Sequence, residues 1–407
     1  MYYGWWIVAG AFIAQFFMTG FFTYGFPFMV VPVETEFGVS RTEVMYGITW
    51  ATALGLLVAP VVGMLADKWS IRWLMTLGAI CFGVGLILIS ESQNILQFSI
   101  LFAIFICLAN NLLGPLTGTT AVARWFSASR GKALGIAAVG TSLGGMVIPI
   151  VVERGITMLG WRETLFYFGV ATLVALLPFL LLMMRNFPHE KGLTVEGQAA
   201  DNSADASAED IPGPDLSAAE VLRSSGFWLI GGTLGLLFMS QSAVLANLSA
   251  YAVGLGHEAS KAAQLIFVIA AMGFIGKLAF GYAADRINLK IGLWTAIVMA
   301  GSGIAILATE PGYTVMLLAA VFMGLATGGM LPVWGAMIAV VFGMRSYGRV
   351  MGLMMPLIAL TVMPGPILAA KLFDTYGDYV VSFYCFFAVL VCSFLMLIPL
   401  KLKAIDD

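Results

Sequence analysis

Gly63-Met64-Leu65-Ala66-Asp67-Lys68, with Arg72 four residues on, returns as Gly281-Tyr282-Ala283-Ala284-Asp285-Arg286, with Lys290 four residues on. A second pair follows the same rule. Ser129-Arg130-Gly131-Lys132-Ala133-Leu134-Gly135 returns as Ser346-Tyr347-Gly348-Arg349-Val350-Met351-Gly352. The displacements are 218 and 217 residues, and Pro149 and Pro366 lie at the same offset beyond the second motif. Two unrelated motifs displaced by nearly one length imply a duplicated chain whose two halves run in parallel topology.

Composition decides what is duplicated. Of 407 residues, 60% are apolar and 10% charged, and the mean hydropathy is +0.97. Soluble domains carry about 25% charged residues. Apolar stretches recur at 5–30, 44–66, 73–91, 95–123, 133–152, 163–184, 227–253, 262–284, 291–309, 312–342, 349–370 and 379–400, numbered here as spans 1 to 12. Each is long enough to cross a hydrocarbon core of about 30 Å. No basic n-region or small-residue cleavage site precedes span 1, which therefore reads as a retained helix. The expected fold class is an all-α membrane protein of twelve transmembrane helices in two six-helix, pseudo-symmetric halves.

Hydrophobicity collapses between the halves, from Gly192 to Asp215, into a stretch rich in Gly, Ala, Asp, Ser and Pro. Such a segment buries too little apolar surface to offset its ordering entropy, so it reads as a flexible linker. Ser217-Ala218-Ala219-Glu220 at its end is a capping-box pattern that opens a short helix. The expected organisation is an N-terminal six-helix bundle over 1–185, a linker over 186–225 and a C-terminal bundle over 226–407. Placing both termini inside puts fourteen Lys and Arg in the cytoplasm and five outside, a positive-inside bias. A multi-pass plasma membrane protein, a bacterial inner membrane protein by this reading, with cytoplasmic termini and a lipid bilayer as its solvent, is expected.

The spans hold no Ser/His/Asp set, no metal-ligand spacing and no HExxH, so neither an enzyme nor a metal or cofactor is expected. Cys81, Cys107, Cys385 and Cys392 all fall inside apolar segments as small hydrophobes. A net charge of −2 offers no basic surface for nucleic acid. A monomer is expected.

One residue departs from the pattern. Lys277 sits inside the otherwise uncharged stretch Leu265–Tyr282. An ammonium at that depth costs roughly 2.5–3.5 kcal/mol on insertion scales, and such a group faces a cavity, a counter-charge or an anionic ligand. No Asp or Glu of the sequence is placed at a comparable depth, so an organic anion is the expected counter-charge.

The loop after span 2 resembles the signature loop of the major facilitator superfamily, and the six-plus-six arrangement covers the whole chain. That resemblance implies that Asp67 and Asp285 cap helices and pair with basic neighbours. The latch would comprise Asp67, Lys68, Arg72, Arg130, Asp285, Arg286, Lys290 and Arg349, outside the substrate site. Arg124-Trp125-Phe126 with Arg130-Gly131-Lys132-Ala133-Leu134-Gly135 is similar to a stretch of the monocarboxylate and oxalate/formate transporters, as are Gly160-Trp161-Arg162, Phe227-Trp228 and Gly276-Lys277. In that branch the residue at the position of Lys277 engages the substrate carboxylate. The resemblance also implies a cavity lined by spans 1, 4, 7 and 10, which makes Gln15, Tyr24, Asn110, Asn111, Asn247 and Trp334 candidates for substrate binding beside Lys277. Gln15 shares a helical face with Thr19, Phe22 and Phe26, and Asn110 one with Gly114 and Thr117.

Two departures narrow the substrate. The oxalate branch carries a second lysine near Met354, and the animal monocarboxylate transporters an Asp near Gly273; both are missing here. One cation suits one carboxylate, so monocarboxylates are favoured over oxalate, with protons or a counter-anion as the coupling partner. Two alternatives stay open. An exporter of drugs or other metabolites would use Gly140, Gly144, Gly145 and Pro149, although a pump for cations wants a mid-membrane carboxylate. A transporter-like sensor would signal through the linker.

Overall fold

The structure, a computed structural model, describes residues 2–39, 41–196 and 214–400. Linker residues 197–213 and the basic residues Lys401 and Lys403 lie outside that range, and with them most of the flexible-linker expectation. Eleven described helices are long and apolar enough to cross a membrane, from Gly4–Met29 to Tyr347–Phe373. The twelfth span is Val380–Met396, of 17 residues. Helix is what an apolar bilayer demands, because every backbone N–H and C=O must be satisfied within the segment. The chain has the twelve-helix architecture that the hydropathy pattern predicts.

The chain divides into two compact units. Unit 1 is Met1–Ser129, Ile136–Pro214 and Met344–Leu353; unit 2 is Arg130–Gly135, Asp215–Gly343 and Met354–Asp407. Each unit thus takes in a short piece of the sequence repeat from the opposite half.

Within unit 1, spans 1 and 5 touch backbone to backbone. A Cβ on Gly140 or Gly144 would collide with the carbonyl oxygens of Phe12 and Phe16. Small residues at such crossings replace the hydrophobic drive that lipid cannot supply. The glycines of the exporter reading therefore have a packing role here. Span 1 leaves the α-helix for a π turn at Gly20–Gly25 and a tighter turn at Phe26–Met29, where Pro27 supplies no N–H.

Span 4 is not one helix. It breaks between Cys107–Leu113 and Pro115–Trp125 at Gly114, whose ψ of −163° is extended. A residue before proline is pushed out of the helical region. Thr117 Oγ1 donates to the Leu112 carbonyl (2.7 Å), occupying an oxygen near the break. The face expected to run from Asn110 through Gly114 to Thr117 is interrupted there.

The first residues of the linker are pinned to unit 1. Glu196 forms a parallel bridge with Phe126, and its carboxylate accepts from the Ser129 backbone N–H (3.0 Å) and hydroxyl (2.8 Å). The Tyr2 hydroxyl donates to the carbonyls of Trp125 and Thr194, both at 2.9 Å. Burial pushes that phenol up to about 12, so it keeps its proton. Beyond 197–213, Pro214 C=O accepts from Ser346 Oγ at 2.8 Å. The capping box predicted at Ser217 and Glu220 is present and opens the helix Ala218–Arg223.

Candidate functional site

Lys277 lies on span 8, in the helix Ala259–Ala284 of unit 2. Seven residues, about 10 Å at 1.5 Å per residue, separate it from Ala284. Spans 8 and 10 meet there without intervening side chains. A Cβ on Gly276 would stand 2.5 Å from the Leu325 carbonyl oxygen, and one on Gly328 would stand 2.7 Å from the Lys277 backbone nitrogen. The Lys277 carbonyl is closely approached as well. A Cβ on Gly135, at the start of span 5, would be 2.5 Å from the Lys277 carbonyl oxygen and 3.0 Å from Gly281 Cα.

Unit 1 contains the same crossing, made from the other copy of each motif. A Cβ on Gly352 would be 2.6 Å from the Ala59 carbonyl oxygen and 2.9 Å from Gly63 Cα. Ala59 is therefore the counterpart of Lys277, displaced by the repeat length of 218 residues. One crossing carries a lysine, the other an alanine, and the backbones pack alike.

Both crossings end in an aspartate that caps a helix. In unit 1 the Asp67 carboxylate accepts from the Gly348 and Arg349 backbone N–H groups, each at 2.7 Å. In unit 2 the Asp285 carboxylate accepts from Gly131 N–H and, at 2.8 Å, from Lys132 N–H. The first N–H groups of a helix lack intrahelical partners, and its N-terminus carries positive partial charge. Glycine is needed beneath each carboxylate: a Cβ would stand 2.7 Å from Asp67 Oδ1 at Gly348 and 2.8 Å from Asp285 Oδ1 at Gly131.

Three of the basic residues grouped with these aspartates, Arg72, Arg286 and Lys290, have neighbours of their own. Lys68 is exposed, and the Arg72 guanidinium lies 5.4 Å from the Trp73 ring. Arg286 sits 3.6 Å over the Tyr282 ring, and Lys290 Nζ donates to the Ile398 (2.6 Å) and Leu400 (3.0 Å) carbonyls. Arg349 contributes its backbone to the Asp67 cap, and Arg130 opens span 5. Sequence reading assigned no role to Arg124, although its Arg-Trp-Phe motif stood out. Its buried guanidinium donates to the Ala66 carbonyl (2.5 Å) and reaches the Asp67 carbonyl (3.4 Å), with the Phe187 ring 4.7 Å away. It thereby holds the helix end that carries the capping aspartate.

Of the remaining candidates, four lie in unit 1 and two in unit 2. In unit 1, Gln15 is fully buried on span 1, and its amide, with no hydrogen-bond partner, lies against Gly118 of span 4. Tyr24 is 44% exposed and its ring covers Gly145 of span 5. Asn110 C=O accepts from Gly114 N–H (3.0 Å), while Asn111 Nδ2 turns back onto the Cys107 carbonyl (2.9 Å). In unit 2, Trp334 is buried and donates its indole N–H to Met354 Sδ at 3.1 Å. Asn247 Nδ2 donates to Ala243 C=O, and its Oδ1 faces the Tyr379 hydroxyl at 3.4 Å.

These features have known relatives. The sequence profile of the Major Facilitator Superfamily matches residues 11–309 and 273–405, and the chain belongs to that family. An MFS-type transporter of Aspergillus fumigatus is 27% identical over 80% of this chain and 75% of its own length. Monocarboxylate transporter 12 of Rattus norvegicus is 23% identical over 97% of this chain and 85% of its own length. Among solved structures, the human organic anion transporter MFSD10 superposes with a TM-score of 0.72 at 17% identity, covering 97% of this chain and 99% of that one; the likeness is one of fold. The protein is thus a multi-span membrane transporter of the superfamily.

Proposed function

We propose that the protein is a secondary active transporter of small organic anions, monocarboxylates first, and that Lys277 binds the substrate carboxylate during alternating access. One observation carries the reading. The repeat builds the same glycine crossing twice, with alanine at position 59 and lysine at position 277. Packing at that crossing works with a methyl group, so a cation placed roughly 10 Å inside the span is there for something other than packing. Its chemistry suits an anion, and the similarity to monocarboxylate transporters points the same way. Gln15, Tyr24, Asn110, Asn111, Trp334 and Asn247 are proposed to line the path, and the plasma membrane with cytoplasmic termini is the proposed setting.

Transport in proteoliposomes tests this. Counterflow against a carboxylate panel, with and without a protonophore, identifies the acid and separates proton symport from anion exchange. Lys277→Ala is expected to abolish counterflow while the purified variant keeps a wild-type melting profile, because alanine already packs at the equivalent crossing at position 59. Lys277→Arg is expected to keep partial activity, because guanidinium prefers bidentate geometry where ammonium acts as a point charge. Full counterflow by the alanine variant would end the proposal.

A further inference from the structure

The Lys277 backbone is closely approached at its nitrogen by Gly328 and at its carbonyl by Gly135, and Gly135 belongs to a segment with a second task. Residues Arg130–Gly135 fall in unit 2 although the flanking chain belongs to unit 1. Four residues apart on this short piece, at Gly131 and Gly135, are its two attachments. At one end, Gly131 and Lys132 donate their N–H groups to the Asp285 carboxylate. At the other, Gly135 lies against the Lys277 carbonyl oxygen and Gly281 Cα. The helix from Lys277 to Asp285 and the segment from Gly131 to Gly135 therefore run along each other, in contact at both ends.

We infer that Gly135 is a positioning residue for Lys277: through it, the segment capped by Asp285 sets where the lysine backbone, and with it the ammonium, is held. The inference rests on the proposed carboxylate-binding role of Lys277 for its functional meaning, though not for its geometry. A close backbone contact is rigid where a side-chain contact would yield. With no Cβ between them, a displacement of the 130–135 segment is transmitted to the Lys277 peptide undamped. When Asp285 releases the Gly131 and Lys132 amides, the restraint on Lys277 is released with them. Binding energy gained at the cation and energy held in the cap are then linked, as any two-state coupling requires. The segment has no direct contact with substrate in this scheme and acts through Lys277 alone.

The duplication supplies the control. Gly352 approaches the Ala59 carbonyl in unit 1 at 2.6 Å from its Cβ position, against 2.5 Å for Gly135 and Lys277. Alanine at either glycine strains its crossing to the same degree, yet only one crossing contains the lysine. The experiment acylates the full-length purified protein in detergent with a membrane-permeant amine reagent and reads the rate at Lys277 by peptide mass spectrometry. Gly135→Ala is expected to change that rate at least threefold relative to Gly352→Ala, in the absence of any substrate. Asp285→Asn and Asp67→Asn form a second pair that introduces no Cβ clash, and Asp285→Asn is expected to exceed its partner in the same way. Equal rates within either folded pair, whether both changed or both unchanged, would overturn the inference. Failure of the carboxylate reading is separately visible: a wild-type counterflow rate in Lys277→Ala would refute that reading and leave the labelling difference standing.

Discussion

Replacing Asp67 with alanine removes both acceptors from the first turn of span 11. Each lost bond joins a carboxylate to a backbone N–H at 2.7 Å. Hydrogen bonds to charged groups contribute about 1.5–3 kcal/mol each, and a negative charge at a helix N-terminus adds about 0.3–1 kcal/mol. The two bonds share one carboxylate, so they do not add in full, and a loss of about 3 kcal/mol is the working figure. At 1.4 kcal/mol per tenfold, that is a local opening constant roughly 150-fold larger. Amide hydrogen exchange, read on peptides covering 344–353 in a lipid nanodisc, measures it directly. Gly348 and Arg349 are expected to exchange about two orders of magnitude faster in Asp67→Ala, while Gly131 and Lys132 keep their protection. Asp285→Ala is expected to give the mirror result, exposing 130–135 and sparing 344–353. Unchanged exchange at Gly348, or acceleration of both segments by either substitution, would refute local capping and indicate general loosening instead.

Two further outcomes follow from the packing. Arg162 ties the start of its own helix to the helix Val30–Phe37, through Glu36 (2.7 Å), and to the end of span 3, through the Ser90 carbonyl and the Ser92 carbonyl (2.7 Å), with its guanidinium 4.4 Å over the Trp161 ring. Because the pair is about one-third exposed, Arg162→Ala is expected to cost only about 1–3 kcal/mol, seen as a lower melting temperature in detergent with Arg162→Lys intermediate; an unchanged melting temperature would exclude a stapling role. Met354 is fully buried, with its sulfur 3.1 Å from the Trp334 indole nitrogen and its Cγ 3.3 Å from a Cβ on Gly231. Met354→Lys buries an ammonium in that packing, so loss of folded protein on size-exclusion chromatography is expected; a folded variant that takes up oxalate would show that the position opens to the transport path after all.

The class of fold was legible because a bilayer makes hydropathy nearly decisive, and because a duplication leaves its spacing in the sequence. Local chemistry was legible where it depends on neighbours in the chain: the Ser217 capping box is an example. The break at Gly114-Pro115 was written in the proline yet hidden by an unbroken apolar run, and it cost the helical face drawn through Asn110 and Thr117. Contacts between distant residues were out of reach. Nothing around Glu196 announces that its carboxylate holds Ser129, since a single polar residue in a polar stretch carries no periodicity. Arg124 was visible as part of a motif, but its partners, the carbonyls ending span 2, lie 58 and 57 residues away.

What a duplication keeps identical in both copies is scaffold; what it lets diverge is free to become specific. The aspartate caps, the glycines beneath them and the backbone crossings recur in both units, with the carbonyl approaches of Gly352 and Gly135 at 2.6 and 2.5 Å. Those features answer to helix packing and end-capping, which place the same demands on either copy. Position 59 and position 277 occupy the same place in that scaffold and share neither size nor charge. A lysine in a span is costly on its own, and the alanine copy demonstrates that the crossing does not require it. The proposed anion site rests on that difference against a background built twice, and Lys277→Ala places at the second crossing the residue the first already has.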